Sequence, residues 1–307
     1  MQTAIALSHR DYTVGIICAL SIELAAVRAL LDEVYADLPS LQADDNHYIL
    51  GHMCSHNVVI SCLPLGVYGA ISAATVATRM LSTFKSIRFG LMVGIGGGVP
   101  NNQDIRLGAV VVSMPTGHTG GVIQFDANFE RTSTLNSPPM VLLNALARLR
   151  ADHIMNGNRI PEFLSEMRNK YPLMRNSISP GAPDRLYRGD YHHVGQQGCC
   201  DHCNEGFLVT RPPRSIDYPR VHYGLIACST HVMYGVSCIE MEAAGLMDRF
   251  PCLVIRGFSD YADSHKNDHW RGVASASAAC YTKELLSVIP PEEVETVQRV
   301  SQLYPRL

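Results

Sequence analysis

No run of about 18 or more apolar residues occurs in this chain of 307 residues, so the sequence offers no membrane-spanning helix. The opening residues MQTAIALSHRDY lack a basic stretch followed by an apolar one, which leaves no secretory signal to read there. An excess of one charge is missing as well. Lys and Arg number 25 against 28 Asp and Glu, for a formal net charge of −3 and a pI near 6.5. That balance removes the electrostatic reason to expect nucleic acid or an anionic membrane surface as a partner. The chain reads as soluble and cytoplasmic, without nucleic-acid or membrane partners.

A complete metal-ligand set is also absent. Of the ten cysteines, Cys18, Cys62, Cys238 and Cys252 sit inside apolar runs, where a reduced thiol packs as a small hydrophobe. The segment QGCCDHCNEG holds Cys199, Cys200, His202 and Cys203, with His192 and His193 upstream. Its Cys-x-x-Cys knuckle resembles half of a zinc site, but no second cysteine pair follows at suitable spacing. The expectation is a flexible surface loop, no metal and no cofactor.

What is present is a large apolar fraction, 47% against 17% charged, enough for a sizeable core. Strand signals at 13–19, 57–63, 89–95 and 107–113 alternate with helical spacing. Leu24, Val27, Leu30, Leu31 and Val34 form one stripe; Ala70, Ala73, Ala77, Met80, Leu81 and Phe84 form another. Leu142, Ala145, Leu146 and Leu149 mark a third helix. Residues 156–220, rich in Pro, Gly, Arg and His, read as an irregular excursion with a short helix near 161–169. Regular structure resumes with VHYGLIA at 221–227, an EMEAAG helix, the strand CLVIRG at 252–257 and a helix over 270–288 capped by Asn267 or Asp268. Residues 290–307, starting Pro290-Pro291, read as a tail or linker. Alternating strands and helices predict one α/β domain over 12–289 with a mixed or mostly parallel sheet.

Acidic residues cluster around two of these elements. Glu240 and Glu242 flank Met241 in EMEAAG, and Ser259, Asp260 and Asp263 follow CLVIRG in RGFSDYADSHKND. An unpaired buried carboxylate is costly, and the C-terminal edge of an open parallel sheet is where ligands bind. A glutamate at a helix start is explained cheaply by the macrodipole, but a Glu-Met-Glu trio beside strands is not. A carboxylate there suits a vicinal diol such as ribose O2′ and O3′. Desolvation at the strand end would keep Asp260 protonated near neutral pH, as a general acid requires. Glu23 opens the first helix and faces the same edge; taken singly it is an ordinary first-turn glutamate. The glycines of GIGGGVP, Gly96 and Gly97 among them, fit neither a dinucleotide fingerprint nor a Walker loop, and instead suit a tight turn beside a ligand.

Taken in order, GIICALSIEL, VGIGGGVP, EMEAAG and RGFSDYADS resemble the nucleoside phosphorylase and nucleosidase superfamily across residues 12–289. VHYGLIA and DYADSHKN are similar to its fungal branch, whose domains often accompany NACHT, ankyrin or TPR modules. The resemblance implies a three-layer α/β/α sandwich around a mixed, partly closed sheet, and cleavage of a nucleoside N-glycosidic bond. It implies Asp260 as the acid toward purine N7, Glu242 and Met241 at the ribose, Glu240 in support, and Val232 and Met233 near the base. A purine nucleoside or nucleotide is the implied ligand, and a homo-oligomer, with a dimer favoured, the implied assembly.

Phosphorylases of this superfamily carry a Gly-Asp-Pro-x-Arg-like loop after the first strand. Here that place reads Cys18-Ala19-Leu20-Ser21-Ile22-Glu23. A carboxylate there repels phosphate and suits orientation of water, so hydrolysis of adenosine- or inosine-type nucleosides is expected. The alternatives are a nucleotide (ATP) nucleosidase, a phosphate-dependent phosphorylase and a catalytically silent purine sensor. Arg79, Arg106, Lys266 and Arg271 are the cationic candidates for a triphosphate.

Overall fold

Apolar residues in unbroken runs suit strands covered on both faces, and the structure uses them so. A computed structural model describes residues 7–39, 44–100, 103–125, 131–195, 200–214, 219–229, 235–266 and 268–303. In chain order the strands are β1 (Val14–Cys18), β2 (Glu33–Val34), β3 (Tyr48–Met53), β4 (His56–Cys62), β5 (Phe89–Gly98), β6 (Val110–Ser113), β7 (Val122–Phe125), β8 (Arg131–Thr134), β9 (Val221–Gly224), β10 (Ile226–Cys228), β11 (Cys238–Glu240) and β12 (Cys252–Tyr261). The helices are α1 (Ser21–Ala29), α2 (Ala70–Thr83), α3 (Met140–Asn156), α4 (Ile160–Lys170), α5 (Arg271–Ser287), α6 (Pro291–Thr296) and α7 (Val300–Leu303).

All twelve strands join one mixed sheet. At its centre β5 runs parallel to β1 on one side and to β12 on the other. Beyond the end of β1, Gly97 and Gly98 of β5 pair instead with β11, antiparallel. Successive residues of a central strand enter opposite layers. Ile16, Leu91 and Ile255 pack with Val27, Leu146, Phe163 and Ala279 of α1, α3, α4 and α5. Ile17, Met92 and Val254 pack with Met80 of α2, Leu246 and Val300. The expected three-layer α/β/α sandwich is therefore the observed one. Among the described residues no helix is long and apolar enough to cross a membrane.

Several local expectations change. Helix α1 ends at Ala29, and Val34, expected on its apolar stripe, lies on β2 with 46% of its surface exposed. Pairing of β2 with β3 competes successfully for the chain there, while the ammonium groups of Lys283 and Lys170 cover the carbonyls of Leu30 and Leu31. VHYGLIA splits into two strands with different neighbours. The Gly96–Gly98 run is not a turn but the last part of β5. EMEAAG forms no α-helix: Glu240 ends β11, and residues 243–245 make a single 3-10 turn.

β12 continues four residues past CLVIRG, through Ser259 and Asp260. Helix α5 has Trp270 at its N-cap with no side-chain cap; Asp268 pairs with the Arg271 side chain instead, and Asn267 lies outside the described residues. Where the sequence suggested a tail from Pro290, α6 and α7 dock through buried Val294 and Val300.

The excursion is tied to the sheet. Asp184 accepts a hydrogen bond from Tyr261 of β12 at 2.6 Å and pairs with Arg211 and Arg214.

Candidate active site

The branching of the sheet at β5 opens a pocket of about 540 Å³ between the ends of β1, β5, β11 and β12. Glu23, Gly96, Gly97, Glu240, Met241, Glu242, Ser259 and Asp260, separated by up to 237 positions in sequence, all line it. Of the residues expected at the site, only Val232 and Met233 are missing from this set, because they lie outside the described residues.

Glu23 enters from the first turn of α1 and is 2% exposed. One carboxylate oxygen accepts from the backbone N–H of Ala19 (2.7 Å) and Leu20 (2.8 Å); the other accepts from Ile95 of β5 (2.8 Å). These bonds fix the side chain from two strand ends at once. Burial pushes its carboxyl above the usual range, opposed by the charge of Arg256 and by the three backbone donors.

Glu240 and Glu242 meet Arg256, which is fully buried within β12. Its Nη2 pairs with Glu240 and lies 3.4 Å from Glu242. Glu240 also accepts from the backbone N–H of Glu242 (3.1 Å) and Ala243 (2.9 Å), so it shapes the turn that presents Glu242. Burial raises the Glu242 carboxyl to about 7; Arg256 opposes the rise, and the charges of Glu240 and Glu23 add to it. Glycine is needed at position 94 for this cluster to close. A Cβ there would lie 2.3 Å from Arg256 Nη1 and 2.5 Å from Glu23 Oε1.

Ser259 and Asp260 are neighbours in one strand, yet both line the pocket. Regular alternation forbids that. A bulge permits it: Phe258 pairs with Gly96, Asp260 pairs with Gly97, and Ser259 is the extra residue. The Ser259 hydroxyl donates to Asp260 at 2.9 Å. Burial pushes the Asp260 carboxyl up, against the charge of Lys266 and that hydroxyl. The pocket is thus lined by Glu23, Glu242 and Asp260, and burial pushes the carboxyl of each above the usual range.

Arg256 was the residue missed by sequence reasoning, although it stands inside the quoted motif. A lone arginine in an otherwise apolar strand was its available signal. Of the four cationic candidates, Lys266 and Arg271 line the pocket. Arg79 pairs with Asp45 and Arg106 with Asp104 elsewhere.

No family model matches the chain. A nucleotide-binding leucine-rich repeat (NLR)-like protein of Hyaloscypha variabilis is 41% identical over 309 residues, 94% of this chain and 30% of that protein. The ATP nucleosidase Cap17 of Escherichia coli is 24% identical over 284 residues, 89% of this chain and 51% of that protein. The chain therefore spans between about a third and about half the length of these curated relatives.

Among solved structures, the 5′-methylthioadenosine/S-adenosylhomocysteine nucleosidase of Neisseria meningitidis has a TM-score of 0.55 at 17% identity, over 90% of this chain and 98% of that one. The futalosine hydrolase of Helicobacter pylori has a TM-score of 0.54 at 15% identity, over 91% and 99%. With a mixed sheet between two helical layers that these structures match along almost their whole length, this chain has the nucleoside phosphorylase/nucleosidase fold.

Proposed function

We propose that the pocket hydrolyses the N-glycosidic bond of a purine nucleoside or nucleotide. The observation that carries this reading is the placement of Glu23 and Asp260 in one pocket, Glu23 held by three backbone N–H donors and Asp260 bonded by the Ser259 hydroxyl. Asp260, whose carboxyl burial pushes toward the protonated form, donates to purine N7 and makes the base a neutral leaving group. As the C1′–N9 bond breaks, positive charge develops on the sugar. Glu242, when ionised, accepts from the ribose hydroxyls, and half-exposed Met241 packs against the sugar. Glu23 orients a water toward C1′ and takes its proton as the C1′–O bond forms. The products are the free base and the free sugar, which keeps its 5′ phosphates where the substrate is a nucleotide.

Water is favoured over phosphate by the wall that would hold the nucleophile. Glu23 occupies it, and the nearby guanidinium of Arg256 is engaged by Glu240 and Glu242. The test is product identity: free ribose in phosphate buffer supports hydrolysis, and ribose 1-phosphate overturns it.

A nucleotide substrate is the second reading, supported by Lys266 and Arg271 at the pocket. The likeness to an ATP nucleosidase points the same way. Rates on adenosine and ATP compared side by side separate the two.

A further inference from the structure

The knuckle that the sequence left as a surface loop is neither isolated nor fully exposed. Cys203 is 7% exposed, Cys200 is half-buried, and both are free thiols. A side-chain nitrogen of His193 and the two sulfurs all lie within 4.8 Å of one another. Tetrahedral zinc with Zn–S of about 2.3 Å and Zn–N of about 2.0 Å places such donors roughly 3.6–3.8 Å apart. The three side chains therefore need to close by little more than about an ångström at most to share an ion.

A second observation comes from the neighbouring segment. His265 is 5% exposed, and neither ring nitrogen has a hydrogen-bond partner among the described residues. A buried imidazole rarely goes unpaired, because its desolvation is uncompensated. Its ring stacks on Tyr187 at 4.2 Å and lies 5.6 Å from the His193 ring, centroid to centroid. Asp263 Oδ2 lies 3.7 Å from Nδ1, too far for a hydrogen bond, yet a small ring rotation would bring the two into the pairing that steadies a ligating imidazole.

We propose that His193, Cys200 and Cys203 bind a zinc ion, with His265, which lies outside that 4.8 Å cluster with its ring centred 5.6 Å from that of His193, turning in as the fourth ligand. The donor set, two thiolates and two imidazoles, is the soft N/S combination that selects zinc over calcium or magnesium. Binding releases the thiol protons of the cysteines. The consequence is structural. Cys200 and Cys203 belong to the irregular excursion, whereas His265 lies between the pocket residues Asp263 and Lys266. One ion would clamp the excursion onto the rim of the pocket, beside the existing bond from the His193 backbone N–H to Ser264 Oγ. This site is independent of which bond the pocket cleaves.

The test is metal content of the full chain, expressed without a polyhistidine tag and purified in reducing buffer. About one zinc per chain is expected. It should be lost from the Cys200→Ser/Cys203→Ser double variant and held at least about tenfold more weakly by His265→Ala. Cobalt added to the metal-free protein should give the intense absorption of a tetrahedral thiolate site. Should the serine variants fail to fold, the wild type still decides, because bound zinc should protect Cys200 and Cys203 from a thiol reagent until a chelator removes it. Absence of stoichiometric zinc together with no cobalt spectrum overturns the proposal. So does zinc retained by the double variant, or a Cys200–Cys203 disulfide in the native protein.

Discussion

The guanidinium of Arg256 and the carboxylate of Glu240 form an ion pair closed off from solvent at the floor of the pocket, 0% and 5% exposed respectively. Glu242 and Glu23 also act on that guanidinium. One buried cation thus serves three buried carboxylates, so its removal leaves charge without compensation.

Arg256→Met should therefore destabilise the fold by about 3–5 kcal/mol, the range for breaking a buried pair by removing one partner. Denaturant unfolding of the two proteins measures it. A change below about 1 kcal/mol would show that the carboxylates are not held charged by Arg256.

Gly94→Ala should disturb the same cluster from the opposite side. The added methyl falls within 2.3 Å of Arg256 Nη1 and 2.5 Å of Glu23 Oε1, and neither group is a loose chain end. A loss of roughly 1–3 kcal/mol in stability is expected, with a fall in turnover greater than that loss accounts for. Turnover measured well below the melting temperature separates the two effects.

Glu242 gives the stability a sign in pH. Its folded value of about 7 lies above the ordinary carboxyl value of 4.5, so the folded state holds the proton more tightly than the unfolded chain. That contribution is fully present below about 4.5 and is lost as pH rises toward about 7. Glu242→Gln, which keeps the neutral form, should flatten this decline. Unfolding free energies at a series of pH values for both proteins test it; parallel curves would contradict it.

Lys266→Ala with Arg271→Ala should raise KM for ATP while leaving that for adenosine within about twofold, if these cations meet phosphates at the pocket mouth. Equal effects on both substrates would remove the nucleotide reading.

How far the sequence carried these conclusions differs by element. Strands such as TVGIICA and FGLMVGI announced themselves because residues buried on both faces leave no polar gap. The carboxylates stood out because acids beside apolar strands are costly without a purpose. Chain reversal was harder to read. EMEAAG has helical composition, yet Glu240 pairs in β11 and its side chain takes up the next two turn donors. The bulge at Ser259 was invisible, since it comes from register with Gly96 and Gly97 and not from residue type. Arg256 was overlooked because its partners arrive from other elements. Of the donors proposed for zinc, only His265 stands far from the knuckle, 62 positions beyond Cys203 in the segment after β12.

The most direct measurement is chromatographic release of free base from adenosine, inosine and ATP, with wild type and Asp260→Asn assayed side by side without phosphate. The proposed mechanism predicts base release by the wild type and a loss of about 10²–10⁴-fold in the variant, whose amide cannot supply the proton to N7. No release from any of the three substrates, or undiminished release by the variant, would contradict it.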